Sequence, residues 1–516
     1  MADLGLAETI KLQGLAGKKI LIEAALLNGL PNFTIVGLPD TSVNEARERL
    51  RAGFQALGLA WPNRRLIINL SPADTAKSGS GFDLGIAVAV INALGYGNFP
   101  PHTALFGEIG LDGSVRGVRG ILPAVLNAKK MGFDKAVVPS ANKTEAALVS
   151  GIEILAVAHL GEVAALLGVP NLPHAAAEPQ KRKTDAESPA RPDWETCAQE
   201  DLNEVCGQEE AIFALQVGAV GRHHLQMVGA PGVGKTMLAR RFVGILPPLT
   251  AQEAMEVAAV RSLDGEQITA LPDRRPFVAP HHSTSAAALI GGGSGVPKMG
   301  AITRAHRGVL YCDEFPEFRA ESIQALRQPL ESGTVDLLRA RAHVRYPASF
   351  QLITAANPCK CGYLSDSGGK CSCTAKERVA YRNKIGGPIA DRIDLHLTVR
   401  RPTEAGLRLG GTVSTAEAAA RVIRARQRSL FRNRRIEGIA QPVNACLPGK
   451  WLRGNCRLSA VMYGTFSRLL QAGEISLRGV DRTLRIAFSL ADLREKDTPG
   501  DDEIYLALQM RGAGIG

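Results

Sequence analysis

At 516 residues, with 45% hydrophobic side chains, the chain is long enough for two or three domains with proper apolar cores. Its net charge of +11 suits a polyanionic partner, while an aromatic content of 5% argues against base stacking on many rings as a way of holding nucleic acid. No apolar run is long enough to span a bilayer and the N-terminus carries no secretory pattern, so a cytoplasmic protein without a membrane partner is expected, its nine cysteines reduced or on metal.

Residues 1–168 read as one α/β domain. Strands are predicted at Lys19–Ala25, Phe33–Val36, Arg65–Asn69, Lys135–Val138 and Glu153–Ala156, and helices at Ser42–Leu57, Gly85–Leu94 and Val125–Met131. Residues 169–198 turn rich in Pro, Ala, Lys and Glu and read as a solvated linker. A second α/β unit is expected over 199–400. Residues 401–516 are mostly helical by pattern, broken at Gln441-Pro442 and Pro448-Gly449.

Near the start of the second unit stands Gly229-Ala230-Pro231-Gly232-Val233-Gly234-Lys235-Thr236. It fits G-x-x-x-x-G-K-[ST], between a short apolar run, Leu225–Val228, and a helix-forming stretch from Met237. The glycines let backbone N–H groups wrap a triphosphate at the positive end of that helix. Lys235 reaches the β- and γ-phosphates of ATP, and the Thr236 hydroxyl is placed to hold Mg²⁺. About eighty residues on, the apolar strand Gly308–Cys312 ends in Asp313 and Glu314. Asp313 can complete the Mg²⁺ shell, and Glu314 can orient and deprotonate the attacking water. The two motifs together predict an ATPase.

The stretch Thr334–Tyr346 predicts two short strands with a basic tip at Arg339 and Arg341; the same pattern fits an exposed hairpin with solvated arginines. The strand Phe350–Ala356 ends in Asn357, whose amide can hydrogen-bond the γ-phosphate and the attacking water, or cap a turn. Cys359, Cys361, Cys371 and Cys373 then give C-x-C-x9-C-x-C, which suits a tetrahedral Zn²⁺. Such an ion would be structural, since four thiolates leave no open position. Without metal the same residues are reduced thiols in a flexible loop.

Six stretches carry a resemblance that covers nearly the whole length: Gly29–Asp40, Ser80–Asp83, Gly107–Gly113, Ala279–His282, Leu326–Gly333 and Ala355–Cys359. They resemble the YifB/ComM family of magnesium-chelatase-like AAA+ ATPases. The resemblance implies an N-terminal Lon-protease-like domain (ribosomal S5 domain 2-like), then an AAA+ P-loop ATPase core with a helical C-terminal lid. It implies a homo-hexamer and, for ComM-like members, a DNA motor that drives branch migration on single-stranded or branched DNA in natural transformation. By the same resemblance Asn357 is the sensor, and Gly387–Asp394 carries an arginine finger, Arg392, that would reach the neighbouring subunit's γ-phosphate. A salt bridge from Arg392 to Asp391 or Asp394 is the plainer alternative. Ser476–Arg485 resembles the second sensor, with Arg478 preferred to Arg485. Arg339 takes the place of a basic residue on a channel-lining hairpin, with Arg341 close by. Residues 281–296 would form a second channel loop, with His281 and His282 as hydrogen-bonded structural groups rather than metal ligands.

Two rival activities are implied as well. One is a chelatase-like motor that remodels a protein or a metal-insertion partner. The other is a Lon-like protease, which the residues disfavour: Asp83 falls at the nucleophile's place and Leu122 at the lysine's. Neither side chain can do that chemistry.

Overall fold

The computed structural model describes residues 3–72, 77, 79–169, 200–293, 297–339, 342–364, 371–385, 389–404, 406, 410–439 and 441–512. From residue 170 onward the expected linker lies outside the described residues. The first sheet unit holds β1 (Asp3–Gln13), β2 (Ala16–Leu27), β3 (Asn32–Val36), β4 (Arg65–Ser71), β5 (Thr103–Leu105), β6 (Glu108–Ile109), β7 (Val115–Arg116), β8 (Lys135–Pro139) and β9 (Glu153–Val157). Seven of these strands form one mixed sheet in the order β3-β4-β2-β1-β5-β8-β9, while β6 and β7 make a separate hairpin. All five predicted strands are present, and the predicted helices appear as Ala46–Ala56, Asp83–Ala93 and Ile121–Lys130.

Strand β1 is absent from the sequence reading, and its burial pattern explains why. Its large residues Leu4 and Leu6 are exposed, whereas Gly5, Ala7 and Thr9 are buried. Small residues face inward because the wholly buried helix Asp83–Ala93 packs directly on β1 and β2. The apolar alternation therefore points the wrong way.

The second unit contains β10 (Leu225–Val228), β11 (Phe277–Val278), β12 (Gly291–Gly292), β13 (Lys298–Met299), β14 (Val309–Cys312), β15 (Thr334–Arg339), β16 (Ala342–Pro347), β17 (Gln351–Ala356) and β18 (Leu395–Thr398). Five of them make a parallel sheet in the order β11-β14-β17-β10-β18. The central strands β14 and β17 are buried at every position and mostly apolar, as burial on both faces requires. Parallel strands put all their C-terminal ends on one edge, so the segments following β10, β14 and β17 converge there. Two antiparallel pairs, β12–β13 and β15–β16, stand outside the sheet. The C-terminal helices Thr415–Asn433 and Leu477–Leu493 pack onto the sheet unit: Val422, Leu484 and Phe488 share an apolar cluster with Leu225 and Phe242. No helix among the described residues is long and apolar enough to cross a membrane.

The N-terminal unit docks on the helix Ala251–Asp264 through the helix Ile121–Lys130, and Gly120 N–H donates to the Ser262 carbonyl (3.1 Å). At the positions aligned with a Lon-type dyad there is no proteolytic geometry. The buried Asp83 carboxylate accepts a guanidinium fork from Arg49 (2.6 and 3.0 Å) and the Ile109 N–H (3.3 Å). Leu122 is fully buried among apolar side chains. Lys77 Nζ, also buried, donates to the Pro72 carbonyl.

Candidate nucleotide site

The loop Gly229–Thr236 leaves β10 and opens the helix Lys235–Ile245. Gly234, at the helix N-cap, has φ +93°, a left-handed conformation that glycine adopts without strain. The helix N-terminus and its free N–H groups therefore face the sheet edge where the other motifs end, as phosphate binding requires. Lys235 Nζ donates to the carbonyls of Gly229 (2.7 Å) and Ala230 (3.0 Å) and to Asn357 Oδ1 (3.2 Å). Burial lowers the Lys235 pKa, and Asp313 and Glu314 oppose that shift. Lys235 and the Asn357 amide thus occupy one site, because β17 lies between β10 and β14.

Thr236 Oγ1 donates to Asp313 Oδ2 (2.9 Å), which brings together two hard oxygen donors suited to Mg²⁺. Tyr311 adds a residue the sequence reading missed. Its hydroxyl lies 3.1 Å from Thr236 Oγ1, and its ring stacks on Phe277. Burial pushes the Tyr311 phenol far above its ordinary pKa, so it stays a neutral hydrogen-bonding group beside the carboxylate. Glu314 follows at φ +48°, with its N–H bonded to Asp313 Oδ1 (2.9 Å).

His282 also reaches this edge. The sequence makes it a hydrogen-bonded group rather than a metal ligand, and its Nδ1 lies 2.9 Å from Glu314 Oε2. His281 and His282 both line a cavity of about 280 Å³ with Thr236, Tyr311, Asp313 and Glu314. Of the remaining candidate channel loop, residues 294–296 lie outside the described residues.

The four cysteines meet. Cys359 Sγ lies 3.3 Å from Cys361 Sγ and 3.8 Å from Cys371 Sγ, and all four sulfurs fall within 4.8 Å of one another. A Zn–S bond of about 2.3 Å in a tetrahedron places sulfurs roughly 3.8 Å apart, so the set fits that ion. The cluster also touches the nucleotide site: Gly362, at φ +84°, leaves room for Pro231, whose Cδ would come within 2.7 Å of any Cβ there.

Arg392 is placed differently. It precedes β18, which runs parallel to β10, and Asp394 N–H bonds the His224 carbonyl just before β10 (3.1 Å). Arg392 therefore sits at the opposite end of the sheet from Lys235, roughly one strand length or 10 Å away. Arg392 pairs with Glu331, on the helix Arg327–Ser332, and holds that carboxyl below its usual range. Asp394 is held by Arg482 (2.5 Å) and His223 (3.3 Å). Burial pushes its carboxyl up, but His223 and Arg482 outweigh burial and keep it ionised. Arg478 lines the same cleft as Arg392 and Glu331, of about 480 Å³, and Arg485 Nε caps the Leu447 carbonyl (2.9 Å).

The hairpin β15–β16 forms in the expected place. Arg339 ends β15 opposite Ala342, and Arg341 lies outside the described residues.

Three family models match in succession: subunit ChlI of Mg-chelatase over residues 22–142, magnesium chelatase subunit ChlI over 201–407, and its C-terminal region over 412–511. The protein YifB of Escherichia coli is 38% identical over 506 residues, covering 96% of this chain and 94% of that protein. The chain belongs to the YifB/ComM family of magnesium-chelatase-like proteins. Competence protein ComM of Haemophilus influenzae, in the same family, is 35% identical over 499 residues, covering 95% of this chain and 93% of its own. An uncharacterised Mycobacterium tuberculosis relative is 43% identical over 516 residues, 99% of each chain. A shorter match, 32% identical over 167 residues, covers 31% of this chain and 30% of Lon protease 2 of Bacillus subtilis. Membership in the YifB/ComM family agrees with the mixed α/β fold and its parallel sheet, and supports ATPase activity with ATP and Mg²⁺.

Proposed function

We propose that this chain is an ATP-driven hexameric DNA translocase that promotes branch migration of recombination intermediates, as in natural transformation. The observation that carries the reading is the split of the site across the sheet. The loop Gly229–Thr236, Asp313, Glu314 and Asn357 lie at one edge, and Arg392 lies at the other. A site whose arginine points away from its own phosphate loop is completed by a neighbour, which favours a ring. In this reading Thr236 and Asp313 supply the oxygens for Mg²⁺, which neutralises phosphate charge. Glu314 takes the proton from water, Asn357 orients it, and Arg392 of one subunit stabilises the charge that builds at the next subunit's site. Arg478, beside Arg392, serves that same neighbouring site. The matched order of regions favours a Lon-like domain at 1–168, a linker to 198, the ATPase core to 400 and a helical lid beyond. The competence role in the name of the Haemophilus relative supports DNA as the partner.

In this reading the β15–β16 hairpin grips DNA, with Arg339 and Arg341 the residues expected to meet phosphates whatever the sequence. The test is ATPase activity with and without single-stranded and branched DNA, alongside Arg339→Ala/Arg341→Ala. The variant should keep basal turnover, lose stimulation by DNA, and lower the slope of log K against log salt by about 0.7 to 0.9 for each lost phosphate contact. Wild-type salt slope and full stimulation in the variant would move a chelatase-like motor for a protein or metal-insertion partner ahead of the translocase.

The cysteines hold a structural Zn²⁺ that braces the loop between Asn357 and Arg392 and presses Gly362 on Pro231. Purified protein should carry about one zinc per chain, and Cys371→Ser/Cys373→Ser should carry none and bind ATP more weakly. Metal analysis with an ATP titration checks both; unchanged zinc content would remove this site.

A further inference from the structure

Arginines line a cavity on the edge of the parallel sheet opposite the phosphate loop. Arg222 precedes β10, Arg275 precedes β11 and Arg307 precedes β14, so the parallel pairing brings all three to the edge where the strands begin. Arg426 and Arg434 arrive from the C-terminal region. With Leu430 between them they are spaced by four along the helix Thr415–Asn433 and its C-cap, and so share one helix face. The cavity measures about 500 Å³, and Glu253 is its only carboxylate.

Local acceptors account for some of these cations and not for others. Arg275 donates to the carbonyls of Pro247 (2.8 Å) and Arg307 (2.8 Å) and to Glu253 (2.9 Å). Arg307 Nε donates to Glu256 (2.7 Å). Arg222 has only neutral acceptors, the Ser349 carbonyl (2.9 Å) and hydroxyl (3.0 Å) and the Gln441 amide. Arg426 donates to the Ala219 carbonyl, and its Nε is buried without a partner. Arg434, exposed at the rim, pairs with no carboxylate among the described residues. Burial, with repulsion from Arg275 and Arg307, lowers the Arg222 pKa to about 10. Burial, with repulsion from Arg222 and Arg275, lowers that of Arg426 to about 9. Both stay charged at neutral pH, so three guanidinium groups are gathered here without a carboxylate of their own.

We propose that this cavity binds a small anion carrying two or more linked phosphate groups, held between the sheet edge and the C-terminal helix. Guanidinium forks match phosphate oxygens in geometry as well as charge. Arg426 and Arg434 are eight residues apart, a rise of about 12 Å along the helix, so two linked phosphates reach both more readily than one. Leu246, Pro247, Leu430 and Val443 supply an apolar stretch of wall, which admits an organic group such as a nucleoside on the anion. A nucleic-acid strand fits less well: Arg222, Arg275, Arg307 and Arg426 are half-buried, and only Arg434 stands exposed. The bound anion would tie the C-terminal helix to the sheet unit. The site is separate from the phosphate loop and does not depend on the DNA-translocase reading.

The test is titration calorimetry of full-length Lys235→Ala, which removes the phosphate-loop lysine, with inorganic pyrophosphate, orthophosphate and ADP. Pyrophosphate should bind once per chain, about tenfold or more tightly than orthophosphate. Adding Arg434→Gln, a change on the exposed rim, should weaken pyrophosphate about tenfold or more, the effect of losing a charge-assisted hydrogen bond. Arg426→Lys, which keeps the charge and loses the fork, should weaken it as well. ADP that binds more tightly than pyrophosphate, with the same dependence on Arg434, would make the ligand a nucleotide; ADP that binds no more tightly would make it an inorganic polyphosphate. Pyrophosphate that does not bind, or that binds both arginine variants as it binds Lys235→Ala alone, would overturn the proposal. So would a single-stranded oligonucleotide that displaces pyrophosphate and depends on Arg434, since the cavity would then belong to a nucleic-acid surface.

Discussion

Glu314→Gln should bind ATP as the wild type does and hydrolyse it about 10²- to 10⁴-fold more slowly, the usual contribution of a general base. Lys235→Ala should fail at the earlier step and lose ATP binding. The two differ because their side chains meet different parts of the reaction. Lys235 is the buried cation of the phosphate loop, bonded to the Gly229 and Ala230 carbonyls and to Asn357, where a phosphate oxygen would replace those partners. Glu314 lies past the end of β14, and its carboxylate meets His282 rather than the phosphate loop. Glutamine preserves its volume and one acceptor oxygen but cannot take a proton. The expected product is an assembled ring loaded with unhydrolysed ATP, while Lys235→Ala yields nucleotide-free protein. Phosphate release, nucleotide binding and particle mass separate the outcomes. Wild-type turnover by Glu314→Gln would assign the base elsewhere; tight ATP binding by Lys235→Ala would remove the lysine from the phosphate site.

The sequence made some of this geometry legible and hid the rest, for physical reasons. That Gly229–Thr236, Asp313, Glu314 and Asn357 converge was legible because each follows a short apolar strand, and a parallel sheet brings such ends to one edge. The cysteines were found because spacing within fifteen residues nearly fixes their meeting. The hairpin was readable from Val335, Leu337 and Val344, whose alternation seats β15 and β16 on the core. The partner of His282 was not legible because Glu314 follows another strand, β14, and strand adjacency is not written in local periodicity. Tyr311 was taken for one more apolar strand residue, although its hydroxyl reaches Thr236. Glu331 was missed as the partner of Arg392 because Asp391 and Asp394 stand nearer in sequence; Arg482 takes Asp394 from a helix about ninety residues away. Strand β1 was missed because a helix packed on it demands small side chains, which carry no hydrophobic signal.

Arg392→Ala should bind ATP normally and lose about 10³-fold or more in turnover, the effect of removing an arginine finger. It should also regain activity when mixed with Lys235→Ala. Pairing of Leu225 with Leu395 and of Val228 with Thr398 makes β10 and β18 parallel, so the loop after β10 and the turn before β18 lie at opposite ends. Arg392 cannot serve its own phosphate loop without unmaking that pairing. Its partner Glu331, 58% accessible, is a group it can leave for a γ-phosphate when another subunit docks against this cleft. In a mixed ring, an Arg392→Ala subunit with an intact phosphate loop can sit beside a Lys235→Ala subunit with an intact arginine. Their shared interface then holds one complete site. Recovery should rise to a maximum near equal mixing and vanish in either pure sample. A mixed ring, shown by mass to contain both variants, that stays inactive at every ratio would place the arginine's action within its own subunit and return Arg392 to a structural pair with Glu331.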